Sequence, residues 1–337
     1  MTMALRIDQA AMCCALGYSL EAASAAIRAC LDHFRESWFV DRGGRPLHCA
    51  MIWDNDLWGP SRMGFMFEHV LAEIFHKAPE CDPGRTCLML LTPEESRPGS
   101  HKDWAQEIFA ACTDKVAFHE SSRICPGGRA GIGLCLHWAR DVLAANEVEQ
   151  LLLAGVDSYL TVGAIEHLLD TDRLLAGGAS DGFIPGEGAG GVLLRKAKPG
   201  VPGLHVSGVG LAHEASRLDS DEPANRSEAF TAAVRAAVAE CGFRAADIDL
   251  HMSDCSGESF YIKEIVHGLV RVVDREMPEY HHMMIAPYLG ETGAAVGPLI
   301  LAFLTDYMPR MRKGRSRALL NFANDGGERA AVMLETR

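Results

Sequence analysis

The sequence lacks the features that define membrane-spanning and disulfide-bonded proteins. No segment reaches 18 consecutive apolar residues, so we expect no transmembrane helix. The eleven cysteines include no C-x-x-C pair and are scattered through apolar stretches, which favours neither a zinc ribbon nor a disulfide framework. The N-terminal stretch with Arg6 and Asp8 predicts a first strand rather than a signal peptide. We therefore expect a protein of the reducing cytoplasm that holds no metal ion and no cofactor.

Positive charge is also in short supply. Lys plus Arg is 32 against 45 for Asp plus Glu, which gives a net charge of −13. Nucleic acids and anionic membranes bind basic surfaces, so the sequence favours neither as a partner. No run of five like charges and no low-complexity tract occurs. With 48% hydrophobic residues, the chain can bury a sizeable core and is not a disordered protein.

Strand-like and helix-like segments alternate in the first half of the chain. The strand LRIDQAAMCCA and a turn at Gly17 precede a helix over SLEAASAAIRACLDHF, with Ser19 as its N-cap. The apolar runs TCLMLLT and QLLLAGVDSYL predict buried strands. Residues 130–145 predict a long apolar helix entered through Gly127 and Gly128.

The same alternation returns in the second half. RSEAFTAAVRAAVAECGF predicts a helix that ends at a Gly242 cap, and the chain closes on a hairpin made from ALLNFANDGG and RAAVMLE. A pattern that occurs twice predicts a layered α/β architecture. Because no polar linker separates the repeats, we expect one unit over residues 1–337, made of two similar halves of about 1–200 and 201–337.

Six stretches, in the correct order, resemble the β-ketoacyl synthases of the thiolase-like superfamily. They read ALGYSLEAASAAIRACLDHF, LLLAGVDS, DGFIPGEGAGGVLL, AFTAAVRAAVAECGFRAADIDLHMSDCSGES, LGETGAAVGPL and NFANDGGERAAVMLE. The resemblance covers nearly the whole chain, although the chain is shorter than a usual synthase. It implies the duplicated thiolase-like fold, with five layers in the order α-β-α-β-α.

The resemblance also implies a site, and this sequence departs from the family there. The family uses a Cys at a strand-to-helix elbow to accept an acyl group, and two His that donate hydrogen bonds to an enolate. Here the elbow reads RICPGGRAGIGLCLHWA, so the nucleophile position falls near Gly128, with Arg129 next. The first His position falls on Asp254 and the second on Glu291.

Electrostatics makes these departures serious. Two like charges ~4 Å apart repel by about 4 kcal/mol at an effective dielectric near 20. Carboxylates at 254 and 291 would therefore oppose both a thiolate and a developing enolate. The closing turn also differs, because Asn324 and Asp325 replace the Gly-Phe-type turn that supports the family's oxyanion hole. Losing one oxyanion donor lowers a rate by about a hundredfold.

Each candidate residue keeps two interpretations. Cys125 is either a displaced nucleophile or a structural thiol before Pro126. The sequence places no base next to it, which disfavours the nucleophile. Asp254 and Glu291 are either an acid–base pair or pocket-wall groups satisfied by backbone N–H or by Arg129. An open route from the surface to Gly128 favours an enzyme, whereas a filled pocket favours an adaptor.

The favoured function is a catalytically degenerate synthase-like protein that acts through protein contacts. Related families include Cys-less subunits that pair with an active polyketide synthase and shortened proteins associated with type VI secretion effector clusters. The resemblance is greater to the second group, which implies an adaptor or chaperone for a secreted effector. The alternative is an acyltransferase or thioesterase acting on acyl thioesters. The resemblance also implies a homodimer, or a heterodimer with a synthase-like protein, paired at QLLLAGVDSYL or a neighbouring edge strand.

Overall fold

The computed structural model describes residues 3–52, 56–218, 220, 222–277, 280–311 and 316–337. Its strands are β1 Leu5–Cys14, β2 Phe34–Val40, β3 Pro46–Ala50, β4 Thr86–Leu91, β5 Arg123–Cys125, β6 Gln150–Ser158, β7 Glu187–Lys196, β8 Leu204–His213, β9 Leu250–Ser253, β10 His282–Met284, β11 Arg317–Ala323 and β12 Glu328–Thr336. Its α-helices are α1 Leu20–Arg28, α2 Gly59–Lys77, α3 Lys102–Thr113, α4 Gly131–Ala144, α5 Val162–Asp170, α6 Glu228–Cys241, α7 Ser259–Leu269, α8 Ala286–Leu289 and α9 Val296–Tyr307. None of the helices in these ranges is long and apolar enough to cross a membrane.

One strand pattern occurs twice in the main sheet. The first half runs β1-β7-β6-β4-β5 and the second runs β8-β12-β11-β9-β10. In the first half β4 pairs in parallel with β5 and β6, and β7 pairs antiparallel with β1 and β6. In the second half β9 pairs in parallel with β10 and β11, and β12 pairs antiparallel with β8 and β11. The halves meet where Leu5–Ile7 pairs with Leu204–Val206. This repeated order is the duplicated α/β topology that the sequence predicts.

Helices α4 and α9 form the middle layer. A single buried apolar core joins both helices to strands of both halves. The helices approach closely because Gly297 has no side chain, and a Cβ there would lie 2.9 Å from Cβ of Ile132. On the outer faces of the strands, α2 and α3 cover the first half and α6 and α7 cover the second half. Each pair of helices packs over its own apolar core. The result is the predicted five-layer order.

Several local predictions are confirmed and two are wrong. Ser19 caps α1 through the N–H of Ala22, and Gly242 ends α6 with a φ of 72°. However, α1 stops at Arg28, because Cys30 takes a left-handed backbone and the chain then enters β2. The segment QLLLAGVDSYL is not at an edge, since β6 lies between β4 and β7 and is buried along its whole length. The described edge strands of the main sheet are β5 and β10.

Candidate functional site

The closing hairpin holds the elbow between β5 and α4 in place. Asn324 accepts a hydrogen bond from the N–H of Ala130 at 2.9 Å and donates one to the carbonyl of Gly127 at 2.9 Å. The N–H of Gly128 donates to the carbonyl of Thr92 at 3.0 Å. Gly128 has a φ of 59°, a left-handed backbone that glycine adopts without steric penalty. The turn residue at 324 therefore acts as a support for the elbow.

Arg129 contacts both acids that occupy the predicted His positions. Its guanidinium is buried and lies 3.3 Å from Glu291 Oε2, 3.0 Å from Asp325 Oδ1 and 3.8 Å from Asp254 Oδ2. It also donates to the Tyr261 hydroxyl at 3.2 Å. The two acids at the predicted His positions thus face one arginine, and its position is one residue after Gly128. We call Arg129, Asp254, Glu291, Asp325 and Tyr261 the arginine cluster.

The backbone satisfies the acids as well. Asp254 accepts from the N–H of Ala323 at 2.8 Å, and Glu291 accepts from the N–H of Gly293 at 2.8 Å. Asp254 and Glu291 therefore each contact a backbone N–H and Arg129. These are the partners expected if the two acids are pocket-wall groups rather than an acid–base pair. Buried carboxylates with such partners are held in a fixed geometry.

A second arginine extends the arginine cluster towards solvent. Arg173 binds Glu258 through two contacts of 2.7 and 2.9 Å, and Asp325 at 2.6 Å. Although burial acts to raise it, the guanidinium groups of Arg129 and Arg173 hold the pKa of Asp325 below its usual range. Asp325 is thus an ionised bridge between the two arginines. The sequence pattern identified the turn that carries it but not this role.

Burial has the opposite effect on the two inner acids. It raises the pKa of Asp254 to about 7, and Arg129 only partly opposes this effect. Burial also raises the pKa of Glu291. An Asp in an unfolded chain has a pKa of about 3.9. The folded protein therefore holds the proton of Asp254 more tightly than the unfolded chain does. The stability that this proton contributes is complete below about pH 4 and declines as the pH rises to about 7.

We expect Asp254→Asn to remove that decline. The amide cannot ionise, and its oxygen can still accept from Ala323. The variant should therefore gain about 1–3 kcal/mol relative to the parent when the pH is raised from 5 to 8. Urea unfolding at both pH values measures this gain. A difference between variant and parent that is the same at pH 5 and pH 8 would contradict the raised pKa.

A cleft of about 1240 Å³ reaches the elbow from the surface and is lined there by Gly127 and Arg129. The expected filled pocket is therefore not what the structure shows, even though the polar groups at its base are mutually satisfied. Glu94 was not predicted as a site residue, yet its carboxylate lies against Gly128. A Cβ at Gly128 would be 2.2 Å from Glu94 Cδ, so this carboxylate occupies the space of a side chain at position 128.

The comparisons with known proteins address the fold. No protein-family model matches the sequence, and no curated protein matches it. Among solved structures, a chain of the AntDE:AntF complex, a type II polyketide ketosynthase with its acyl-carrier protein, superposes with a TM-score of 0.80 at 12% identity, and 99% of each chain is covered. The ishigamide ketosynthase/chain length factor gives 0.80 at 14% identity and 100% of both chains. A chain of the Xenorhabdus doucetiae ketosynthase ApeO with its chain length factor ApeC gives 0.72 at 12% identity, with 99% and 98% covered.

The chain has the thiolase-like fold of the ketosynthases. At these identities the likeness establishes the fold alone, and it confirms the architecture that six short sequence motifs predicted. The similarity extends over 98–100% of each of these three chains. The site must be interpreted from this chain's own residues.

Cys125, the fallback nucleophile, lies outside the arginine cluster. It ends β5, packs partly buried against the central core and lines neither of the two described cavities. A hydrogen bond from the Cys135 thiol lowers the pKa of Cys125, but no base contacts it among the described residues. In this thiolase-like fold the structure brings Arg129, Asp254 and Glu291 together and leaves Cys125 apart.

A second ion pair separates the cleft from a smaller cavity. Arg97 binds Asp157 through two contacts of 2.6 Å, and Asp157 also accepts from the N–H of Ala294 at 2.8 Å. Arg97 lines both the cleft and a cavity of about 250 Å³ that reaches Ile124 on β5. The Arg97–Asp157 pair therefore forms part of the wall between the two spaces.

Proposed function

We propose that this protein is a ketosynthase-like subunit that does not condense acyl groups and that works by binding another protein. One observation carries the proposal, the burial of Arg129 between Asp254, Glu291 and Asp325 at the elbow. Condensation needs a thiolate there and neutral or cationic donors to stabilise an enolate. The Arg129 guanidinium is already held by three acidic side chains and the Tyr261 hydroxyl, so its N–H groups are engaged within the protein.

Glu94 adds to this argument. With Glu94 where it lies, a cysteine at 128 would clash with its carboxylate, and the left-handed backbone disfavours any side chain there. No histidine among the described residues contacts the arginine cluster. The proposal is thus supported by the residues present at the elbow, Arg129 and Glu94, as well as by the replacement of the family's Cys and His.

The partner that we propose is a second synthase-like subunit, either another copy or a related chain. Two of the similar structures contain a ketosynthase with a chain length factor, and edge strands left unpaired in solution promote association. Since β6 is internal, we place the pairing at β5. Light scattering at micromolar concentration should give at least twice the 36.5 kDa chain mass, either for the chain alone or for its mixture with the synthase-like partner. A chain that stays at 36.5 kDa with every synthase-like protein offered would contradict this proposal.

We propose more specifically that this protein acts in the cytoplasm as an adaptor for a type VI secretion effector. Its support is the resemblance of the GVDS and DGFIPGE motifs together with the acidic charge of −13, which favours partners with basic surfaces. The test is co-expression with the neighbouring gene products and purification at moderate salt. Recovery of an effector in a fixed ratio supports the adaptor, and purification of the chain alone opposes it.

A second function, hydrolysis or transfer of acyl thioesters, is favoured by the cleft. The cleft is open to the elbow, and Glu94 forms no salt bridge with a described residue. Burial raises the pKa of Glu94 against the opposing effect of Arg97 and Arg129, as expected for a carboxyl that can take up and release a proton. This function predicts thiol release from a small thioester, without loss of carbon dioxide, that Glu94→Gln abolishes.

A further inference from the structure

The outer face of α7 carries an exposed apolar stripe. Ile262, Val266 and Val270 follow one another at i, i+4 and i+8, the last at the C-cap, and their exposed fractions are 38%, 55% and 75%. On the opposite face Tyr261 and Ile265 are buried against the body of the protein. Residues four apart on a helix lie above one another, so the three side chains form one ridge of about 12 Å. We call it the α7 stripe.

A row of basic residues lies beside the α7 stripe. Lys263, His267 and Arg271 are exposed and each follows a stripe residue by one position. Arg235 of α6 joins the row, because its guanidinium donates to the carbonyl of Arg271 at 2.9 Å. Lys263, Arg235 and Arg271 form no salt bridge with any residue in the described part of the chain.

This row is unusual for a chain with a net charge of −13. Asp181 lies close enough to Lys263 to interact with it electrostatically. Arg235 and Arg271 instead donate to backbone carbonyls, which carry no net charge. The positive charges of Arg235 and Arg271 therefore lie next to exposed apolar surface without a salt-bridge partner among the described residues. A complementary partner would present apolar and acidic groups side by side.

We propose that the α7 stripe and its basic row dock an amphipathic helix of a protein partner that has acidic residues flanking its apolar face. A ridge of i, i+4 side chains packs into the groove between ridges of another helix, which fits a helix better than an extended segment. The surface lies outside the cleft and does not involve β5. It goes beyond the proposed function, because it names a second surface and the chemistry of what binds there. Three apolar side chains predict a weak, transient contact.

An anionic membrane fits this surface less well. Membrane-binding helices bury Trp, Phe or Leu to a depth of about 5–10 Å, whereas the α7 stripe consists of one Ile and two Val. The rest of the chain is acidic and would be repelled by anionic lipid. Lipid binding is therefore kept as an outcome of the test.

The test uses the full chain and a labelled synthetic amphipathic helix of about five turns, with leucine on one face and glutamate on the other. Fluorescence anisotropy at low and moderate salt measures binding. A second peptide carries lysine in place of each glutamate, and phosphatidylserine vesicles provide the lipid arm. The variants are Val266→Asp/Val270→Asp and Lys263→Glu/Arg271→Glu. The matched control is Val162→Asp, at a site on α5 that is 64% exposed.

We expect the glutamate peptide to bind, to bind more weakly as salt rises, and to lose about tenfold or more in affinity with either double variant. The control should bind like the parent, and thermal melting should show that all variants fold. Three results would overturn the proposal: no binding of the glutamate peptide, equal binding of the lysine peptide, or binding unchanged by both double variants. Vesicle binding that the double variants abolish, without peptide binding, would replace the partner helix with a lipid surface.

Discussion

Replacing Arg129 with methionine should destabilise the fold by about 3–5 kcal/mol, because it leaves buried carboxylates without their cation. Asp254 and Glu291 are only 3% and 2% exposed, so both carboxylates depend on buried partners rather than on bulk water. Asp325 would keep Arg173. Urea unfolding at pH 8, where these acids are most ionised, measures the loss. The effect should shrink as the pH falls, since protonation of Asp254 and Glu291 removes the uncompensated charge.

Two controls make this result specific. Arg129→Met/Asp254→Asn/Glu291→Gln removes the charges together and should recover a large part of the lost stability, as expected when a buried ion cluster is replaced by neutral groups. Arg42→Met removes an arginine from an exposed pair with Asp170, and should change stability by less than about 1 kcal/mol. An Arg129→Met protein that unfolds like the parent would show that the arginine cluster is not a structural unit.

The second large effect is expected at Arg97. Arg97→Met would leave Asp157, which is fully buried, with only backbone N–H partners, and we expect a loss of about 3 kcal/mol or more. Arg97→Met/Asp157→Asn should restore much of that loss. Arg85→Met removes a partner from the exposed pair with Glu149 and is the matched control. If the single and double variants were equally unstable, the loss would come from packing of Arg97 over the Tyr159 ring rather than from its charge.

The fold could be predicted from sequence because its signals are local. Strands β4 and β6 are continuous apolar runs, as expected for parallel strands covered on both faces, and Ser19 and Gly242 mark helix ends by their own chemistry. The edge position was misplaced because pairing is not local. The available signal was the long continuous apolar run of β6, which is typical of a strand in the interior of a sheet.

The site was predicted in part for the same reason. Registering the motifs placed Arg129, Asp254 and Glu291 near one another, and the structure brings them within 4 Å contacts of the guanidinium. Tyr261 reaches the same point from 132 positions along the chain, and no local pattern marks it. Glu94 was also missed. Its signal was its place just after a buried strand, where the ends of parallel strands gather side chains at one edge of the sheet.

In our proposal, Arg129 and its acids have replaced condensation chemistry at the elbow. The direct test is incubation with acyl-loaded and malonyl-loaded carrier protein, followed by intact mass and carbon dioxide measurement, with an active ketosynthase run in parallel. We predict no covalent acyl adduct and no carbon dioxide release from this chain. Carbon dioxide release would contradict the proposal and indicate condensing activity. An acyl group mapped to Cys125 would also contradict it and favour the acyltransferase or thioesterase.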